Sequence, residues 1–329
     1  MKNDIYFEPN YGKLYEKMEN GKCEEFKFEK EYGTIRHMYI KRQIPISCNG
    51  KNYYDLVTPY GYGGPFIVEC SPGMEKKLLQ EFKCEFHKYC LENDIISEFV
   101  RFHPLIDNAN DFFDCYDVCH IRNTIGTNLK DYSQPIEIEF SKSCIKNIKK
   151  ALKNGVVFNV IESPDNLGDF KEIYYSTMER NNASEYYYFD DEYFLKCLNL
   201  FKDNIVLVEA TYNSKTIAMG LYFIYDNIIH VHLSGTLSEY LKLSPAYILR
   251  YGITMWGKEK GYSIIHHGGG RSNSNNDSLY LFKRQFGNNT QFKFHIGKKI
   301  WNEEIYTKLC DIVGVDKNTD FFPAYRIKR

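Results

Sequence analysis

The sequence predicts a mixed α/β protein, α+β in character, built from two similar lobes. Three observations carry this. Strand-like and helix-like patterns alternate along all 329 residues, with no Pro/Gly/Ser-rich linker and no low-complexity tract. The length suits two domains at about 100–200 residues each. One order of elements (hairpin, special loop, helix, strand) also occurs twice, about 170 residues apart. The expected lobes are residues 1–160 and 161–329.

In the first half, residues 24–30 and 34–46 are strand-like, and Asn49-Gly50 signals a hairpin before a strand at 53–57. A glycine-rich loop follows. A helix spans about 71–93, with Ser71 as its cap and Pro72 in its first turn. Residues 95–103 form the next strand. A helix at 141–154 is capped by Ser141 and closed by Gly155. In the second half, 170–180 and 190–201 are helical. Strands at 205–211, 216–225 and 228–233 turn at Asn213-Ser214 and Asp226-Asn227. A helix at 245–260 ends at Gly261, and a strand follows at 263–267.

Composition bounds the function. Lys+Arg is 42 against Asp+Glu 43, which excludes binding to nucleic acid through bulk charge but not through a local basic patch. No apolar run approaches the ~20 residues of a membrane span, and the N-terminus lacks a signal-peptide core, so a cytoplasmic protein is expected. The ten cysteines have no framework spacing and read as reduced core residues. On the 141–154 helix, Lys142, Lys146, Lys149 and Lys153 fall within about 60° of one another. That row is either a solvated face or a basic rail for phosphate or tRNA.

Three segments can carry chemistry. In Thr58-Pro59-Tyr60-Gly61-Tyr62-Gly63-Gly64-Pro65, the glycines and prolines fix an irregular loop that can present the Tyr60 and Tyr62 hydroxyls. His266-His267-Gly268-Gly269-Gly270-Arg271 follows a strand. Its glycines permit close backbone approach to a ligand, and Arg271 offers a fork for phosphate or carboxylate. Adjacent strand histidines point to opposite faces, so a zinc pair is not expected there, and no metal site is expected elsewhere. In residues 279–287, Lys283 follows two apolar residues and can stabilise an oxyanion or a diphosphate.

These residues, together with IKKALKNGV at 148–156, YSTMERNN at 175–182 and IHVHLSGT at 229–236, resemble the FemABX-like and BioF2-like branch of the GNAT superfamily. The resemblance implies two tandem GNAT-like lobes packed side by side, and transfer of an acyl or aminoacyl group to an amine. It implies that Arg180 holds a nucleotide-linked acceptor and that Lys283 serves transfer. Arg271, Tyr60, Tyr62, Gly268, Gly269, Tyr280 and Ser234 are the further substrate-binding candidates, and His267 is the candidate base. The donor is aminoacyl-tRNA or acyl-CoA, with no tightly bound cofactor. The acceptor is a peptidoglycan precursor or another small or nucleotide-linked amine. Where an acyl-CoA enzyme carries a glycine loop, Ser238–Leu243 and the following Ser244-Pro245 carry none, which disfavours backbone cradling of CoA. The alternatives are an acyl-CoA-dependent N-acetyltransferase of an amino sugar or small amine, and a non-catalytic ligand-binding lobe pair.

Overall fold

The computed structural model describes residues 3–274 and 276–327. In chain order it contains α1 (Pro9–Glu19), β1 (Gly21–Lys30), β2 (Gly33–Gln43), β3 (Tyr54–Val57), β4 (Phe66–Cys70), α2 (Glu75–Glu92) and β5 (Ile95–Arg101). Next come α3 (Asn108–Asp111), β6 (Asp117–Asn128), α4 (Pro135–Glu139), α5 (Lys142–Lys153), β7 (Val157–Glu162), α6 (Gly168–Arg180) and α7 (Asp191–Phe201). Strands β8 (Ile205–Tyr212), β9 (Lys215–Tyr225) and β10 (Ile228–Thr236) precede α8 (Pro245–Glu259) and β11 (Ile264–Gly268). The chain ends with α9 (Ser278–Arg284), β12 (Gln291–Ile300) and α10 (Glu303–Val313). Among the described residues no helix is long and apolar enough to cross a membrane.

Two compact units divide the chain. Residues 1–122 and 293–329 form the first, and residues 123–292 the second. The expected boundary at 160 is thus replaced by boundaries at 122/123 and 292/293. The reason is long-range strand pairing, which element order does not encode. The C-terminal β12 pairs antiparallel with β5, from Ile296 opposite Arg101 to Ile300 opposite Ser97. Helix α10 then buries Ile305, Tyr306, Leu309 and Cys310 in a cluster with Ile44 and Ile96 of the first unit.

In the first unit the strand order is β1-β2-β3-β5-β12, with β4 also on β2. Asn49 and Gly50 both have positive φ (55° and 73°), which gives the turn between β2 and β3 the conformation their side chains tolerate. Strands β3 and β5 are parallel and α2 makes the crossover. Leu78, Phe82, Phe86 and Cys90 recur at helical spacing on α2 and are buried beneath it with Ile35, Leu56 and Val100.

The second unit repeats the motif. Its order is β6-β11-β10-β9-β8-β7. Asn213 and Ser214 at positive φ turn β8 into β9, and Asp226 turns β9 into β10. Strands β10 and β11 are parallel with α8 as crossover. Helices α5 and α8 cover one face through Cys144, Ile148, Ala151, Ile248, Leu249 and Ile253. Ser141 caps α5 by accepting from Cys144 N at 3.1 Å.

Candidate functional site

Strands β10 and β11 pair only from Ile228–Ile264 to His230–His266. Beyond that point their ladder stops, and a bulge interrupts β10 between Val231 and Leu233. A cleft of about 270 Å3 lies at the C-terminal end of β10. This is where parallel strands in α/β folds present ligand sites. Ser234, Gly235 and Thr236 of β10, Thr177 and Arg180 of α6, Ala246 of α8, Arg271, and Ser278, Leu279 and Phe282 of α9 line it.

Gly235 explains how α6 reaches this wall. A Cβ there would sit 2.4 Å from the Ile173 carbonyl oxygen, so only glycine lets the helix backbone lie on the strand. Thr177 Oγ1 then accepts from Thr236 N at 2.7 Å. One turn on, Arg180 donates through Nη1 to Thr236 O (2.8 Å) and Ser238 Oγ (3.0 Å). Its Nη2 donates to Thr236 Oγ1 (2.9 Å) and Thr177 Oγ1 (3.2 Å). The guanidinium is therefore held in one orientation by neutral oxygens.

The opposite wall is organised by Asp277. Its Oδ1 caps α9 by accepting from Tyr280 N at 2.9 Å, and its Oδ2 accepts from Arg271 N (2.9 Å), Ser272 N (2.8 Å) and Ser272 Oγ (3.0 Å). Burial opposes ionisation here, but the hydrogen bonds outweigh it and hold the carboxyl down at about 2. Gly270 packs against this carboxylate; a Cβ would fall 2.5 Å from Asp277 Oδ1. Lys283 Nζ donates to Gly269 O at 2.8 Å, which ties α9 to the glycine run. Gly268, with φ 74°, starts that run. The Arg271 side chain is exposed on the cleft wall.

Of the residues singled out in the sequence, Arg180, Arg271 and Ser234 line the cleft, and Gly268, Gly269 and Lys283 frame its loop and helix. Tyr280 lies on α9, with its hydroxyl donating to Gln291 Oε1 at 3.3 Å. His267 has a different place. It is fully buried against Phe286, with Nε2 2.8 Å from Thr127 Oγ1, and is absent from the cleft wall. Burial, then the charges of Arg250 and Lys283, push its pKa well down and keep the ring neutral. The strand alternation that separates it from His266 sends His266 to Thr124 Oγ1 (2.9 Å) on the other face.

Tyr60 and Tyr62 belong to the first unit. Their loop is locked by buried Asn108, whose Nδ2 donates to Gly63 O (2.9 Å) and Pro65 O (2.8 Å). Tyr62 is buried edge-on against Tyr6 (5.2 Å) and His103 (5.6 Å), and burial raises its phenol pKa. The Tyr60 carbonyl accepts from Tyr11 OH at 2.9 Å. Thr177 and Thr236 lie within the segments 175–182 and 229–236, and Asp277 directly ahead of the short helix, but none of the three stood out in the sequence as a site residue. The first was legible as the residue three before Arg180 on one helix face, and the last as a cap residue ahead of α9.

Residues 114–216 match the model of the FemAB family. Over 186 residues the chain is 25% identical to the UDP-N-acetylmuramoylpentapeptide-lysine N(6)-alanyltransferase of Weissella viridescens, across 56% of this chain and 54% of that protein. The match thus spans about half the length of that relative. Among solved structures, that of FemX superposes with a TM-score of 0.70 at 10% identity, covering 93% of this chain and 94% of the other. L-PGS from Bacillus licheniformis gives 0.54 at 13% identity, covering 95% and 99%. At these identities the two structures establish the fold alone.

Proposed function

We propose that this chain, FemABX-like in sequence and FemX-like in fold, is an aminoacyltransferase acting on a cell-wall peptide precursor. The donor is aminoacyl-tRNA, and the acceptor is an amine of a nucleotide-linked muramoyl peptide. The observation that carries the reading is the cleft beyond the parting of β10 and β11. It sets the fixed Arg180, the exposed Arg271 and the α9 helix of Lys283 around one space.

The chemistry follows from those groups. The acceptor nitrogen attacks the ester carbonyl, the new N–C bond forms, and an oxyanion develops. The C–O bond to the RNA 3′ oxygen then breaks, and the amine proton ends on that oxygen. Lys283 Nζ, turned from Gly269 O, donates to the oxyanion; such a donor is worth about 3–4 kcal/mol. Arg180 and Arg271 hold phosphate or carboxylate groups of the substrates. Neither a histidine nor a carboxylate is among the described residues that line the cleft, and the nearby Asp277 carboxylate is taken up by the amides of Arg271, Ser272 and Tyr280; we assign the proton to water or the substrate itself.

The segment before α8 supports this donor over acyl-CoA. Ser238–Leu243 forms a 3-10 turn in which Tyr240 N bonds Leu237 O, Ser244 N bonds Leu241 O, and Pro245 offers no N–H. Few amides are left there to cradle a pyrophosphate. The test is to incubate the protein with the muramoyl-pentapeptide nucleotide and a panel of aminoacyl-tRNAs, then weigh the product. A mass gain of one aminoacyl group in an alkali-stable amide is expected. No gain with any donor refutes the reading.

A further inference from the structure

Helix α5 carries the most concentrated charge that this transfer chemistry leaves unused. It reads KSCIKNIKKALK, with five lysines and no acid. Lys142, Lys146, Lys149 and Lys153 share a face about 60° wide, and Lys150 widens it to about 100°. All five are exposed, and none forms an ion pair with a described carboxylate. Other helices match exposed or half-buried lysines with glutamate one turn away: Lys77 with Glu81, Lys88 with Glu92, Lys196 with Glu192, Lys308 with Glu304. A solvated face gains from such mixing. Helix α5 forgoes it in a chain whose net charge is −1. Lys142 even opens the helix, where the macrodipole disfavours a cation.

The opposite face of α5 is already used. Cys144, Ile148 and Ala151 are buried in the second unit's core. A helix that lies on a bilayer needs that apolar face for the lipid. Only the charged edge is on offer, and it suits a hydrophilic polyanion. The row also has a direction. Ser141 N donates to Gln285 O at 2.8 Å and Ser143 Oγ to Gln285 Oε1 at 3.3 Å. Gln285 is the C-cap of α9, two residues past Lys283. From that end the lysines extend over about 16 Å at 1.5 Å per residue.

We infer that this lysine row is the docking track for the phosphate backbone of an RNA, whose aminoacylated end it delivers to the cleft beside α9. The inference rests on the aminoacyl-tRNA reading for the identity of that RNA.

The test uses unacylated tRNA as probe, with anisotropy titrations at 50 and 200 mM salt. It compares the wild type with K142E/K146E/K149E/K153E and with the matching four-glutamine variant. Four phosphate contacts contribute a salt slope of about −3, equivalent to about 100-fold in affinity over that range. Both variants should lose that part of the slope while keeping the wild-type thermal midpoint. Transfer from alanyl-tRNA should fall with it, and transfer from alanyl-adenosine, too short to reach the track, should stay near wild type. Equal affinity and slope in all three proteins overturn the inference. So does wild-type binding to phosphatidylglycerol vesicles with none to tRNA. A wild type that binds tRNA through the track yet transfers from neither donor supports the track and refutes the transferase reading.

Discussion

Replacing Asp277 by alanine should unfasten the Arg271 side of the cleft without unfolding the protein. Its carboxylate is the common acceptor for the amides of Arg271, Ser272 and Tyr280. Loss of the α9 cap costs about 1 kcal/mol. Each of the two loop amides adds about 1 kcal/mol, the low end for a charged acceptor because a surface amide regains water. The sum, about 3 kcal/mol, raises the open fraction of the loop about 100-fold, at 1.4 kcal/mol per factor of ten. The assay is amide hydrogen exchange at Arg271, Ser272 and Tyr280. These should exchange about 30- to 100-fold faster in Asp277→Ala, while Ile265 in the core strand stays unchanged. The pH dependence has a definite sign. A carboxyl held at about 2 contributes its stability above the unfolded value near 3.9 and loses it as pH falls through about 2. Protection of the wild-type loop should therefore persist at pH 4. Unchanged exchange at all three amides in the variant would refute the assignment of Asp277 as the organiser of this wall.

Other consequences are equally open to measurement. Gly235→Ala places a Cβ 2.4 Å from Ile173 O, so α6 or β10 must shift; a loss of at least about 2 kcal/mol is expected in urea unfolding. In the first unit, buried Asp55 accepts from Arg42 Nε at 2.8 Å, Arg326 Nη2 at 3.1 Å and Tyr325 OH at 3.2 Å. Asp55→Ala should cost about 3 kcal/mol in the same assay, because it removes the acid partner of Arg326 and one of the two acid partners of Arg42, which keeps Glu19. His267 stays neutral when folded but takes a proton below about pH 6.5 when unfolded. Stability should therefore fall as pH drops from 6.5 toward 5, by up to about 1.4 kcal/mol per pH unit from this group alone. His267→Asn should lack that part of the slope, and an identical slope would contradict it.

Local rules made much of the fold legible. Asn49-Gly50, Asn213-Ser214 and Asp226-Asn227 all mark turns that the structure makes, with Asn49, Gly50, Asn213, Ser214 and Asp226 at positive φ. Ser141 caps the helix it was expected to cap. The repeated order of elements became two parallel pairs, each bridged by a helix, because a crossover of that length fits only that topology. What failed was long-range. Nothing local says that β12 returns to β5, so the unit boundaries fell elsewhere. At the site, the loops of unusual composition lie on the wall that carries Arg271 and Lys283, and Gly270 is needed there because its backbone meets Asp277. Alternation put His266 and His267 on opposite faces but not which face Phe286 would cover. Tyr62 looked like an exposed hydroxyl because sequence does not show Tyr6 and His103 packing around it.

In the proposed reaction Lys283 completes an aminoacyl-transfer cleft with Arg180 and Arg271. The most direct measurement is single-turnover transfer from alanyl-tRNA to the muramoyl-pentapeptide nucleotide by Lys283→Ala, with acceptor affinity measured in parallel. A rate lowered about 10²- to 10³-fold with acceptor affinity nearly unchanged is expected. A variant that transfers at close to the wild-type rate would contradict it.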